Sequence, residues 1–161
     1  MFSPVVRSCV IAATLFVAAP VSVLAFDANS SRPVNVNEKG VALRGFDPIS
    51  YFSGKGPVMG SESNKFVFDG ATYWFASAEN LAKFKANPSQ YAPRFGGFCA
   101  MGVAKDKKID SDPTAWRIVD GYLFVLQNKD VQKNWLVDVS GNLKAATVSW
   151  NTIKNIAPKG L

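Results

Sequence analysis

The segment KFVFDGATYWFAS, residues 65–77, carries the strongest secondary-structure signals of the chain. Phe66 and Phe68 alternate with other residues in a β-prone run, and Asp69-Gly70 is a favoured two-residue turn. A second β-prone run follows the turn. The pattern predicts a β-hairpin with one apolar face.

A helix is expected after each of two hairpins. Ser77 follows the first hairpin and is a good helix N-cap. Residues 116–126 repeat the hairpin pattern around another Asp-Gly pair, and Asn128 can cap the helix after them. A last helical stretch is expected over residues 144–153, with Val148 and Trp150 buried in the core. We therefore predict an α+β fold: a small single domain with two short β-hairpins, each followed by a capped helix, plus a C-terminal helix.

Residues 1–25 have the order of a secretory signal peptide. Arg7 is the only charged residue near the start, residues 8–23 carry no charge, and a small-x-small pattern ends at Ala25. An uncleaved membrane anchor is the alternative, but the run is shorter than the ~20 apolar residues of a spanning helix and contains a proline.

Cleavage after this signal leaves a processed chain that begins at Phe26 and has two parts. The polar, Asn-rich residues 26–39 predict a flexible leader, and residues 40–161 predict the folded domain. The product is expected to be exported, periplasmic or secreted, in a bacterial envelope, with no membrane span after cleavage.

The charge distribution bears on the partners. The chain has 18 Lys and Arg against 12 Asp and Glu, a net charge of +6. The basic residues are scattered apart from Lys105, Lys107 and Lys108, which have aspartates among them. A nucleic-acid-binding surface would show a denser basic stripe or an RNA-binding motif. These lysines are expected on a solvated surface, and no nucleic-acid partner is predicted.

The side chains that most often perform catalysis are scarce. Histidine is absent, which excludes Ser-His-Asp and Cys-His catalysis and histidine-based metal sites. Cys9 leaves with the signal, so Cys99 is the only thiol of the processed chain. We expect binding rather than catalysis. A thiol-dependent redox protein, with Arg94 lowering the pKa of Cys99, is an alternative.

Glycine is concentrated in the segment RFGGFCAMG, residues 94–102. Glycines among bulky apolar residues imply positive φ angles or a close backbone approach. The segment is therefore interpreted either as a packed turn or as a loop that faces a ligand.

Residues 73–84, YWFASAENLAKF, are followed by Asn87-Pro88 and Tyr91. This order resembles the YHS domain family, in which a tyrosine-containing strand runs into a serine and a short helix. Further pieces, which resemble exported stand-alone YHS proteins, are GFDPISYF at 45–52, FGGFCA at 95–100, DPTAW at 112–116 and DGYL at 120–123. The resemblance implies a YHS-like domain over nearly the whole processed chain.

The chain departs from the family at the positions that would bind metal. YHS domains and their metal-sensing relatives often carry one cysteine just before the serine, a second four residues on, and a third upstream. Those places hold Ala76, Asn80 and the segment Asp47-Pro48, and Trp74 stands where the family-naming histidine can occur. The soft-metal cysteine cluster is therefore missing, and no metal is expected there.

The leading hypothesis is an exported, non-enzymatic binding or accessory module of YHS type. Ligand pockets are mostly apolar with a few polar groups. The pocket is accordingly expected to be lined by Tyr51, Trp74, Phe95, Phe98 and Cys99. The residues leave the ligand open between a small molecule, a soft metal ion and a protein partner.

Copper binding is a further alternative, and copper is the only cofactor that the residues suggest. The Cys99 thiolate and the Met101 thioether are soft ligands that suit Cu(I), and their spacing places both on one face of an extended segment. Two ligands are few for a metal site. Met59, the remaining thioether of the processed chain, supplies a third ligand only if the fold brings it near the other two. The competing interpretation is that Cys99 and Met101 fill the core.

Overall fold

The first hairpin forms where the sequence predicts it. The structure is a computed structural model that describes residues 26–161. β1 (Ser61–Phe68) pairs antiparallel with β2 (Ala71–Phe75). Asp69 and Gly70 join the strands with φ angles of +50° and +74°, which the tight turn of a hairpin requires.

The second hairpin has the same construction. β3 (Asp112–Val119) pairs antiparallel with β4 (Tyr122–Leu126). Asp120 and Gly121 form the turn with φ angles of +50° and +77°. The Asp-Gly signal therefore predicted both turns.

Each hairpin is followed by a helix with a side-chain cap. α1 (Ala78–Ala86) begins after Ser77, whose hydroxyl accepts a hydrogen bond from a backbone N–H of the first turn at 3.1 Å. α4 (Lys129–Trp135) begins after Asn128, whose side chain accepts two such bonds at 3.1 and 2.9 Å. Both predicted caps are confirmed.

The remaining elements connect and cover the hairpins. They are α2 (Pro88–Tyr91), α3 (Ala100–Val103), α5 (Val139–Ile153) and the 3₁₀ turns Leu43–Gly45, Ser50–Ser53, Arg94–Gly97 and Pro158–Gly160. The α+β prediction of one small domain is confirmed. Within residues 26–161, no helix is both long enough and apolar enough to cross a membrane. The predicted signal peptide, residues 1–25, lies outside the described residues.

The two halves of the domain have the same order of elements. We call residues 43–86 unit 1 and residues 95–135 unit 2. Each unit starts with three consecutive residues of positive φ, at 43–45 and at 95–97, and continues into a hairpin and a capped helix. The two Asp-Gly signals in the sequence thus belong to a structural repeat.

Matching contacts extend the repeat to single residues. Asp47 N–H and Cys99 N–H each donate at 2.9 Å to a carbonyl oxygen in the segment that leads into the hairpin of their unit. Phe84 on α1 and Trp135 on α4 are both fully buried, each in the core of its own unit. Asp47 and Cys99 therefore occupy equivalent places.

Part of the predicted flexible leader, residues 26–39, packs against the domain. Val34 and Val36 are buried, and the intervening Asn35 donates its backbone N–H to Gly96 O at 2.8 Å. Alternate residues of an extended segment point to the same side, so two valines suffice to anchor a stretch of polar composition. The folded domain therefore includes part of this segment.

Lys108, which was expected on a solvated surface, is buried. It is only 3% exposed, and its Nζ donates to the carbonyl oxygens of Arg32, Lys154 and Ile156 at 2.8–3.0 Å. Burial lowers the pKa of Lys108. This side chain ties the segment before unit 1 to the end of α5.

The C-terminal helix is longer than predicted, and a different side of it from the predicted one faces the core. It begins at Val139 rather than at residue 144, because the Asp138 carboxylate accepts a hydrogen bond from Gly141 N–H at 2.8 Å and caps it. Val148, expected in the core, is 68% exposed, while Ala146 and Ile153 are buried.

Candidate functional site

The five predicted pocket residues lie in three separate places. Tyr51 is buried between the two units, where its hydroxyl donates to Pro113 O at 3.0 Å and its ring meets Trp116 edge-on at 5.3 Å. Burial raises the pKa of Tyr51. These contacts of Tyr51 stabilise the packing between the two units. Trp74 lies elsewhere, on the outer face of the first hairpin.

Phe95, Phe98 and Cys99 lie together in the core of unit 2. The ring centroids of Phe95 and Phe98 each lie 6.0 Å from that of Trp150 on α5. Phe95 also borders a surface cleft, whereas Cys99 is not among the residues that line it. The structure thus brings three of the five residues together, but away from Tyr51 and Trp74.

The Cys99 thiol is enclosed by the core. The residue is 1% exposed, and burial raises the pKa of its thiol, although the backbone N–H groups of Gly102, Gln127 and Met101 act in the opposite direction. Met101 packs against the same core. Within residues 26–161, no three His, Cys, Asp or Glu side chains lie close enough to share a metal ion. This placement favours the packing interpretation over copper binding.

Alkylation measures how far this burial protects the thiol. Iodoacetamide at pH 8 is expected to leave Cys99 unmodified in the folded chain and to modify it fully in guanidinium, as followed by intact mass, because only an accessible thiolate reacts. Glutathione under the same conditions is the control. Alkylation of the folded chain at the rate of glutathione would contradict the burial and revive a thiol-dependent function.

The positions at which the YHS resemblance places cysteines converge in space. The Asp47 carboxylate is fully buried, and its Oδ2 accepts hydrogen bonds from Ala76 N–H at 2.8 Å and from Asn80 Nδ2 at 2.6 Å. Its Oδ1 accepts from Ile49 N–H at 2.8 Å and closes a tight turn, whereas the 3₁₀ turn Ser50–Ser53 that follows has Ile49 as its N-cap and no side-chain cap. A hydrogen-bonded carboxylate thus occupies this place in unit 1.

A cleft opens where unit 1, unit 2 and α5 meet. Its volume is about 460 Å³. Tyr73 borders it from β2, Phe95 and Gly96 from the turn that opens unit 2, and Trp150 from α5. The positive φ angles of residues 95–97 turn the chain sharply at this wall, as the glycine content of the segment predicts.

The rim of the cleft carries more positive than negative charge. Arg94 and Lys154 are cationic residues of the lining, and Asp69 is the acidic one. The Arg94 guanidinium lies 4.9 Å from the centre of the Tyr122 ring, which restrains it beside the opening. A small anion with an apolar body would find both a ring surface and positive charge here.

Sequence reasoning identified Phe95 and the glycine turn but missed the rest of this cleft. Tyr73 and Trp150 are aromatic residues whose sequence contexts predict only core positions, and Lys154 follows the last predicted helix. These residues meet because α5 packs back against the repeat, and no local pattern encodes that contact. Comparisons with protein-family models, curated proteins and solved structures found no match to this chain.

Proposed function

We propose that this chain is an exported, non-enzymatic binding module that takes a small anionic ligand with an apolar ring into the cleft between its two units. The observation that carries the proposal is the cleft itself, with a volume of about 460 Å³. Binding pockets for small molecules measure roughly 300–1,000 Å³ and often lie between domains or repeated units.

The lining supplies the two kinds of contact that such a ligand needs. Trp150 is partly exposed and offers most of the aromatic surface, whereas Tyr73 and Phe95 border the cleft with only 2% and 6% of their surface exposed. Arg94 and Lys154 offer positive charge near the opening. Aromatic surface contributes burial energy, and the cations select for a negative group. The ligand class follows from this combination.

Binding is favoured over turnover by the chemistry of the lining. Histidine is absent from the chain, and Cys99 does not line the cleft. Burial raises the pKa of Tyr73, so its hydroxyl keeps its proton at neutral pH.

A YHS-type architecture and export belong to the same proposal. The convergence of Asp47, Ala76 and Asn80 supports the resemblance, because the family places its cysteines at these positions. Export is supported by the signal-like order of residues 1–25. Edman sequencing of the exported protein is expected to begin at Phe26.

A fluorescence titration with 1-anilinonaphthalene-8-sulfonate, an anionic aromatic probe, tests the cleft. The processed wild-type chain is expected to bind the probe saturably. Ser89→Trp adds a bulky side chain at an exposed lining position and is expected to weaken binding at least ~10-fold, or ~1.4 kcal/mol. Arg94→Gln is expected to weaken it less.

The matched control places the same bulk elsewhere. Asn134→Trp adds a tryptophan on the exposed side of α4, which does not line the cleft, and it is expected to bind the probe like the wild type. The neutral probe N-phenyl-1-naphthylamine is expected to bind more weakly. Equal affinity of the Ser89→Trp and Asn134→Trp variants would overturn the proposed site.

A further inference from the structure

The two hairpins of the repeat differ in how their outer faces are covered. In unit 2, Trp116 and Val125 form one cross-strand pair of the outer face, and Ile118 and Leu123 form the next. This face belongs to a buried cluster and is covered by apolar residues of unit 1. The covering residues are Leu43, Phe46, Tyr51 and Phe52. The second hairpin is thus packed on both faces.

The equivalent face of the first hairpin is open. Lys65 and Trp74 form the first cross-strand pair, and Val67 and Thr72 form the next, in the same register as in unit 2. These residues border a groove of about 640 Å³. Val67 is 62% exposed.

Further apolar surface adjoins this groove. Met59 is 53% exposed, and its sulfur and the Trp74 ring both lie against Gly45, at which a Cβ would approach them to 3.5 and 2.8 Å. Exposed methionine and aromatic side chains that lie side by side are typical of binding surfaces. The open face therefore presents Val67 and Trp74 among polar neighbours, with Met59 beside Trp74.

Charges at the edge of the groove indicate the partner. Lys39 and Lys65 line it, and Glu62 pairs with Lys65 at 3.3 Å. Within residues 26–161, Lys39 has no carboxylate at salt-bridge distance. The chain carries a net charge of +6, which opposes the docking of a second copy and favours an acidic partner.

We infer that the outer face of the first hairpin docks a segment of another protein that presents aliphatic and aromatic side chains next to carboxylates. Within this chain, the same face of the second hairpin already receives a segment with aliphatic and aromatic side chains. The inference is independent of the cleft, because Val67 and Trp74 do not line it.

The probe for this surface is a synthetic peptide taken from the chain itself. It has the sequence of residues 42–53, ALRGFDPISYFS, with Arg44→Glu to add negative charge. The control peptide carries alanine at the positions of Leu43, Phe46 and Tyr51, so that it keeps the charge and loses the apolar side chains.

NMR titration of the ¹⁵N-labelled processed chain is the measurement. The probe peptide is expected to shift the Trp74 indole N–H and the amides of Val67 and Thr72 saturably, and the control peptide is not. Val67→Asp changes an exposed side chain and is expected to abolish these shifts, whereas Val148→Asp, at an equally exposed position on α5, is expected to retain them.

Three results would overturn the inference. They are no saturable shift with the probe peptide, equal shifts with the control peptide, and shifts that survive Val67→Asp. Analytical ultracentrifugation of the free chain additionally measures whether it dimerises. Dimerisation that Val67→Asp abolishes would assign the face to a second copy and would also overturn the docking of an acidic partner.

Discussion

Replacing Asp47 with alanine is expected to lower the free energy of unfolding by about 3–5 kcal/mol, because it leaves one buried and two part-buried donors without their acceptor. The carboxylate is fully buried and accepts hydrogen bonds from Ile49 N–H, Ala76 N–H and Asn80 Nδ2 at 2.6–2.8 Å. It thereby joins the loop before the first hairpin to the start of α1. Urea denaturation followed by circular dichroism measures the loss.

Two variants separate the network from a general effect of charge. Asp47→Asn keeps the shape but retains only one acceptor oxygen, so its loss of stability is expected to lie between those of wild type and Asp47→Ala. Asp130→Ala removes an exposed carboxylate that pairs with Lys133 at 3.0 Å, and it is expected to cost less than ~1 kcal/mol. A similar cost for Asp47→Ala and Asp130→Ala would contradict the role of Asp47.

Gly96→Ala is expected to lower the free energy of unfolding by about 3–5 kcal/mol, because steric overlap adds to backbone strain. A Cβ at this position would lie 1.8 Å from Pro33 O and 3.1 Å from Val34 Cα. Relief of that overlap would move the segment that buries Val34 and would break the hydrogen bond from Asn35 N–H to Gly96 O. Thermal and urea denaturation measure the cost.

Gly54→Ala is the matched control for this substitution. Gly54 has a φ of +76°, close to the +60° of Gly96, but a Cβ there would meet nothing within 4 Å. Backbone strain alone is therefore expected to cost about 1 kcal/mol. Equal costs for the two glycine substitutions would mean that the close approach of residues 33–34 to Gly96 does not contribute to stability.

The hairpins and their helices could be predicted from the sequence because their signals are local. The Asp-Gly turns need only two residues with positive φ, and the caps at Ser77 and Asn128 need only one side chain and the next helical turn. The same signals recur in both halves of the sequence, but the sequence identity between the halves is too low to predict a repeat, and the core residue is Phe84 in one unit and Trp135 in the other.

The positions that were predicted wrongly depend on contacts between distant segments. Lys108 carries a charge and is nevertheless buried, because three carbonyl oxygens from both ends of the domain surround its ammonium. The exposure of Val148 depends on which side of α5 meets α3 and the second unit, and helical spacing alone does not specify that side.

The candidate site was predicted only in part for the same reason. Apolar character and glycine content identified Phe95 and its turn, but a pocket of Tyr51, Trp74 and Cys99 required those residues to share a surface. Tyr51 and Cys99 are 1% exposed, and Trp74 lies on a different hairpin face. Composition could indicate that aromatic residues line a site, but not which of them meet.

NMR mapping of 1-anilinonaphthalene-8-sulfonate on the ¹⁵N-labelled processed chain tests binding between the two units most directly. Occupation of the cleft predicts saturable shifts of the Trp150 indole N–H and of the Phe95 and Gly96 amides, with the amides of α4 unmoved. Saturable shifts confined to residues outside the cleft lining, or the absence of saturable shifts, would contradict binding in the cleft.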